Sequence, residues 1–393
     1  MGFVASYDLE DSDTRWVNFN FGVGFNRITD LNDKLIYQGV NNSSLMQYFV
    51  DEANATTTDP YQLRSNYEFL IWDSYVMDFD TIANEFYSEI TDERANDPAN
   101  FGINQRKLIE RDGSINEFTF AFGGNYAHKL YVGASIGITR LRYDEYSSHY
   151  ENETATFPIP FINSFEFREH SKTEGTGFNL KFGAIYRPLE FLRVGASLHI
   201  PTFYNIKQDF YNEANGNFET LDADPSRSEN VIYDYQLNTP LRAVGSIAFQ
   251  IGKLGLIGID YEYVDFSTMK LDDDFNEVDG VLLDNQNIET IFQETHNIRV
   301  GGEYRVGAWY LRAGGRYSTS PYKDINIALN PEYIKTSYSG GIGYRENNVF
   351  IDFAFSQTLS DYKLMAYNHV DNMAEADIKN KINNFILTLG FKF

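Results

Sequence analysis

Residues 383–393 read NNFILTLGFKF, and the alternation in this stretch decides the fold. Phe385, Leu387, Leu389, Phe391 and Phe393 fall on one face, opposite Asn384, Ile386, Thr388, Gly390 and Lys392. A helix would scatter the five apolar side chains round its circumference, whereas a strand lines them up. In this sequence no residue follows to fold back over the apolar face.

Composition agrees with such a strand in lipid. The 393 residues could bury a large core, and 16% of them are aromatic, 28 Tyr and 32 Phe, too many for a disordered chain. Mean hydropathy is nevertheless −0.40, and no run approaches the roughly 18 apolar residues of a membrane helix. A membrane barrel reconciles these facts, because only alternate residues of each strand face lipid. The formal charge of −24 argues against nucleic acid, whose phosphates it would repel. Absence of Cys removes disulfides, thiolate chemistry and most structural zinc sites. The start, MGFVASYDLED, has neither the basic region nor the apolar core of a signal peptide. An exported protein begins with one, so the expectation is a mature form or a fragment.

The terminal pattern recurs in WVNFNFGVGFNR (16–27), INEFTFAFGGNYA (115–127), GFNLKFGAIY (177–186) and NIRVGGEYRV (297–306), and about thirteen strands are expected in all. Connections alternate between short turns, such as 128–129, 187–190, 252–253 and 346–348, and long loops at about 40–103, 150–163, 210–229, 271–287, 319–334 and 366–381. Sorting of this kind predicts a single outer-membrane β-barrel over 1–393, with short turns periplasmic and long loops extracellular. A soluble all-β domain is the alternative, and it has no reason to sort its loops. Tyr126, Tyr186, Trp309 and Tyr344 beside the short turns fit an interfacial belt. Thirteen is odd, and a closed antiparallel barrel needs an even number. The expectation is therefore an incomplete barrel, its further strand preceding Met1 or supplied by another segment.

The runs GFVASYD, WVNFNFGVGFNR, NNSSLMQYFVDEAN, DSYVMDFD and FILTLGFKF together resemble the Bacteroidetes branch of the FadL/TodX family of outer-membrane transporters for hydrophobic compounds. The resemblance implies a fourteen-stranded barrel closed by an amino-terminal hatch that carries an Asn-Pro-Ala element. This chain has no such element at its start, so hatch and first strand are expected to be absent. It also implies a hydrophobic small molecule as ligand.

Two groups of residues are candidates for function. Within 40–103, helical spacing aligns Leu45 with Phe49, and Phe69, Trp72, Val76 and Phe79 form a second face. These positions either pack helix on helix to cap the barrel mouth or capture an apolar ligand, and both readings are compatible. On the inward face, Arg299, Glu303, Arg305, Arg312, Arg316 and Asp352 form a polar cluster. Such a cluster pairs with itself in a wet lumen, or holds a hatch segment or a ligand carboxylate.

No enzymatic signature emerges. The six His residues are dispersed, and no cofactor or metal is expected. The acidic run Asp272, Asp273, Asp274, Glu277 and Asp279 lacks EF-hand spacing and reads as a solvated loop. The partners expected are outer-membrane lipid, lipopolysaccharide sharing divalent cations with carboxylate-rich loops, and a hydrophobic small molecule. Function divides between passive uptake of hydrophobic molecules and a non-transporting accessory subunit of an outer-membrane secretion or assembly complex.

Overall fold

Strand alternation over most of the chain produces one large antiparallel sheet in the computed structural model, which describes residues 2–9, 15–155, 157–272, 278–323, 333–346, 348–367 and 374–391. Among the described residues thirteen wall strands follow one another, nine unbroken and four built from two pieces. They are Gly2–Asp8, Trp16–Asp30 with Asp33–Asn41, Ile103–Tyr126, Leu130–Glu153, Ile162–Leu189, Leu192–His199 with Phe203–Phe218, and Val231–Asn238 with Arg242–Ile251. Gly255–Asp265 with Lys270–Asp272, Glu294–Val306, Trp309–Ser318, Ile334–Glu346, Val349–Met365 and Glu375–Phe391 complete the wall. Each pairs antiparallel with the next. Among the described residues no ladder joins the first strand to the last, and these two run in the same direction.

Period-two alternation sorts each strand into a lipid face and a lumen face. Phe118, Phe120 and Phe122 are exposed on the outside, as are Ile136 and Ile138 on the neighbouring strand. The turn between these strands is tight: Ala127 and His128 have φ of 53° and 56°, and Lys129 N donates to Tyr126 O at 3.0 Å. Two successive positive φ values give the primed turn whose twist matches antiparallel strands.

The wall is taller than the alternation alone indicates. Ile103–Tyr126 and Leu130–Glu153 each span 24 residues and Ile162–Leu189 spans 28. Parts of the expected loops at 40–103, 150–163, 210–229 and 366–381 are therefore strand. Above the lipid belt both faces are polar or packed against other segments, so the apolar/polar alternation disappears while the ladder continues. The expected loop at 271–287 contains part of a helix, Val278–Ile291. Asp273, Asp274, Glu277, His369, Phe393 and residue 347 of the 346–348 turn lie outside the described residues.

The apolar core lies inside one end of the barrel, where residues 42–102 form a cap. It contains α1 (Leu45–Thr56), α2 (Glu68–Asp73), a hairpin of Asp78–Asp80 with Glu85–Tyr87, and α3 (Glu89–Asn96). Buried Met46, Phe49, Ile71, Val76 and Ile90 pack with Phe165, Phe167 and Ala214 from the wall. Helices form here because the wall offers them an apolar inner face, which supplies the stability short helices lack alone.

Candidate ligand-binding sites

One carboxylate gathers several of the hydrogen bonds that join the cap to the barrel. Ser44 adopts an extended conformation before α1, and its Oγ accepts from Met46 N at 3.0 Å. Glu151, fully buried on the wall, continues this cap: Oε1 accepts from Leu45 N at 2.8 Å and from Gln105 Nε2 at 2.8 Å, and Oε2 accepts from Ser44 Oγ. A carboxylate at a helix start satisfies backbone N–H groups that have no partner within the helix. His149, equally buried, places Nε2 2.8 Å from the same Oε1. The Tyr367 hydroxyl donates to Ser43 Oγ at 3.0 Å, and burial pushes it above the ordinary tyrosine range, so it stays protonated. Nothing in the sequence pairs Ser44 with Glu151, because the two lie 107 positions apart.

The helical face expected for Phe69, Trp72, Val76 and Phe79 does not form, since α2 ends at Asp73 and Phe79 lies in the hairpin strand Asp78–Asp80, and the six cap residues divide by burial into two groups. Leu45, Phe49 and Val76 are 7%, 1% and 1% exposed and lie in the cap core, with Phe49 against Phe167 at 5.1 Å between ring centroids. Phe69, Trp72 and Phe79 pack partly buried against that core. Trp72 also meets Phe69 at 5.5 Å and Tyr61 at 5.4 Å, and Tyr61 is 79% exposed. Aromatic residues thus continue from the buried core to the surface of the cap.

In the lumen, the predicted polar residues form two groups. Toward the cap, Arg299 donates to Glu262 at 3.0 Å, and Arg316 donates to Ser318 Oγ at 3.0 Å and to Asn297 at 3.4 Å. Toward the short turns, Arg312 bridges Glu303 and Asp352, both at 2.7 Å, and Arg345 lies 3.6 Å from Asp352. The Arg305 guanidinium sits over the Tyr310 ring at 4.4 Å, and among the described residues no acid pairs with it. Elsewhere in the lumen, Lys181 meets Glu117 at 2.5 Å, and with His199 it edges a cavity of about 600 Å³ whose lining includes Gly133, Gly183, Gly195 and Ser197. Small inward side chains leave this space open. Among the described residues no cluster of His, Asp and Glu has the arrangement of a metal site.

A family model described as an outer membrane protein transport protein (OMPP1/FadL/TodX) matches residues 110–393. Among solved structures, a Pseudomonas aeruginosa FadL homologue aligns with a TM-score of 0.51 at 16% identity, over 74% of this chain and 75% of its own. The Ralstonia pickettii toluene transporter TbuX aligns with a TM-score of 0.48 at 14% identity, over 100% of this chain and 81% of its own. The P. putida toluene transporter TodX aligns with a TM-score of 0.48 at 13% identity, over 99% and 82%. No curated protein matches. The likeness to the P. aeruginosa structure supports the barrel fold.

Proposed function

The chain belongs to the OMPP1/FadL/TodX family of outer-membrane transport proteins, and from that premise we propose that it admits hydrophobic small molecules by passive diffusion. The long-loop end, with its cap, faces outside, and the short turns face the periplasm. The observation that carries this reading is the aromatic group of Tyr61, Phe69 and Trp72, which offers an apolar ligand a partly exposed face at the barrel mouth. Leu45, Phe49 and Val76 hold that face in place from behind, and Phe79 packs in the adjoining hairpin on Phe86 at 4.8 Å. From there the ligand partitions into the lumen cavity beside Lys181 and His199. Arg305 is the cation available to a ligand carboxylate, while Arg299, Arg312, Arg316, Glu303 and Asp352 mainly satisfy one another or neighbouring polar groups.

Uptake of a fluorescent hydrophobic probe by cells producing the protein tests the reading. Trp72→Ala is expected to slow uptake several-fold while heat-resistant migration of the barrel is preserved. Unchanged uptake would reduce the cap to a structural lid. Recovery of the barrel only within a stoichiometric large complex would favour an accessory subunit instead.

A further inference from the structure

The outer wall carries a boundary that the register makes exact to one residue pair. Phe118, Ile138, Phe178 and Phe203 lie side by side across four strands and are all exposed outward. Two positions higher, on the same face, stand Arg140, Thr176, Asn205 and Gln236. Two positions higher again come Arg142, Glu174, Lys207 and Asp234. An apolar row therefore gives way to a row of hydrogen-bonding groups, then to a charged row.

Cations at this level differ from the paired cations of the neighbouring wall. With a formal charge of −24, acids are in excess, and Lys34, Lys107, Arg111, Arg168 and Lys181 are all paired with carboxylates. Arg140, Arg142 and Lys207 are exposed, and among the described residues none of the three has an ion pair or a side-chain hydrogen bond. Arg140, Thr176, Asn205, Lys207, Glu174 and Asp234 line a groove of about 660 Å³ on this surface. Arg140 and Lys207 of this lining, with Arg142 on the row beside it, suit a phosphate; Thr176, Asn205, Asp234 and Glu174, which also meets Lys172 at 3.5 Å, suit sugar hydroxyls; and the apolar row beneath suits acyl chains.

We propose that this groove binds the phosphorylated sugar headgroup of an outer-leaflet glycolipid, its phosphate held by Arg140, Arg142 and Lys207 and its acyl chains lying on Ile138, Phe178 and Phe203. The inference rests on the proposed orientation, with the cap end outside. A glycolipid bound here anchors the wall strands that carry the cap, at the height where the lipid belt ends.

Native mass spectrometry of the detergent-solubilised barrel tests it, comparing the wild type with an R140A/R142A/K207A variant. The probes are a bisphosphorylated acylated disaccharide, its dephosphorylated form, an anionic glycerophospholipid and inorganic phosphate. The expected result is retention of the bisphosphorylated glycolipid by the wild type at least tenfold above the variant, with the dephosphorylated form retained equally weakly by both. Equal retention by the variant would overturn the proposal. So would equal retention of the glycerophospholipid, which would mean a general anionic belt, or inorganic phosphate displacing the glycolipid as well as unlabelled glycolipid does. The variant must keep heat-resistant migration, and a single-site R140A variant repeats the comparison if the triple variant does not. Probe uptake by the variant reads the transport proposal separately, because these residues lie outside the lumen, and Arg142→Cys reports sidedness: labelling only from the periplasm would overturn the orientation itself.

Discussion

Glu151 holds more donors than any other carboxylate in the cap junction, and it does so while fully buried. Leu45 N, Ser44 Oγ and Gln105 Nε2 all point at it, with His149 beside them. Glu151→Leu removes the acceptor and leaves Leu45 N and the Ser44 hydroxyl proton buried without one, at about 1–3 kcal/mol for each left unsatisfied, while Gln105 Nε2 keeps its bond to Ser43 O at 2.8 Å. The expected outcome is a cap that detaches from an intact wall: limited proteolysis should cut within 42–102 far faster than in the wild type, while the barrel still migrates as heat-resistant. Equal protection of the cap in the variant would show that the apolar packing of Phe49 and Phe165 alone suffices to hold it. Nothing in the sequence around Glu151 distinguishes it from the many other acids of the chain. What makes it special is a neighbour in space, and contacts between residues so far apart leave no periodic trace.

Strands were legible wherever one face meets lipid and the other the lumen, since that difference is what alternation records. Phe118 to Tyr126 could be read for this reason, and Ile103 to Asp112, in the same strand, could not. That upper half pairs with Asp33–Asn41 on one side and Leu130–Glu153 on the other. Its pairing depends on Gly113, where the adjoining strand breaks at Leu31 and Asn32: Leu31 N donates to Gly113 O at 3.0 Å, and Gly113 N donates to Asn32 Oδ1 at 2.7 Å. A Cβ at this position would lie 2.3 Å from Arg142 O and 2.9 Å from Tyr143 Cα, both backbone atoms of the next strand. Neither can move without shifting the ladder, so Gly113→Ala should destabilise the upper wall by about 1–3 kcal/mol. Loss of heat-resistant migration at a lower temperature than the wild type would register this. Gly39 provides the control, because a Cβ there meets nothing within 4 Å and Gly39→Ala should leave the transition in place.

At the scale of the whole molecule, the strand count and the sorting of connections were readable from turn residues and loop lengths, whereas the inward seat of the cap was not. Loop length says that residues 42–102 are inserted at one end; only packing against Phe165 and Phe167 says that they fold into the barrel mouth. The proposed orientation can be tested directly. Tyr61 stands on the cap and is 79% exposed, and His128 is exposed in the tight turn at the opposite end of the wall. The chain contains no Cys, so a Cys introduced at either position is the sole site for a thiol reagent. Placing the cap outside predicts that a membrane-impermeant maleimide labels Tyr61→Cys in intact cells and spares His128→Cys, which should react only after the outer membrane is permeabilised. The difference must be large, because the two positions are separated by the full span of the wall and the bilayer it crosses. Labelling of both positions in intact cells would show that the wall does not separate them, and reversed labelling would turn the molecule over, with the aromatic group of Tyr61, Phe69 and Trp72 then meeting ligands from the periplasm.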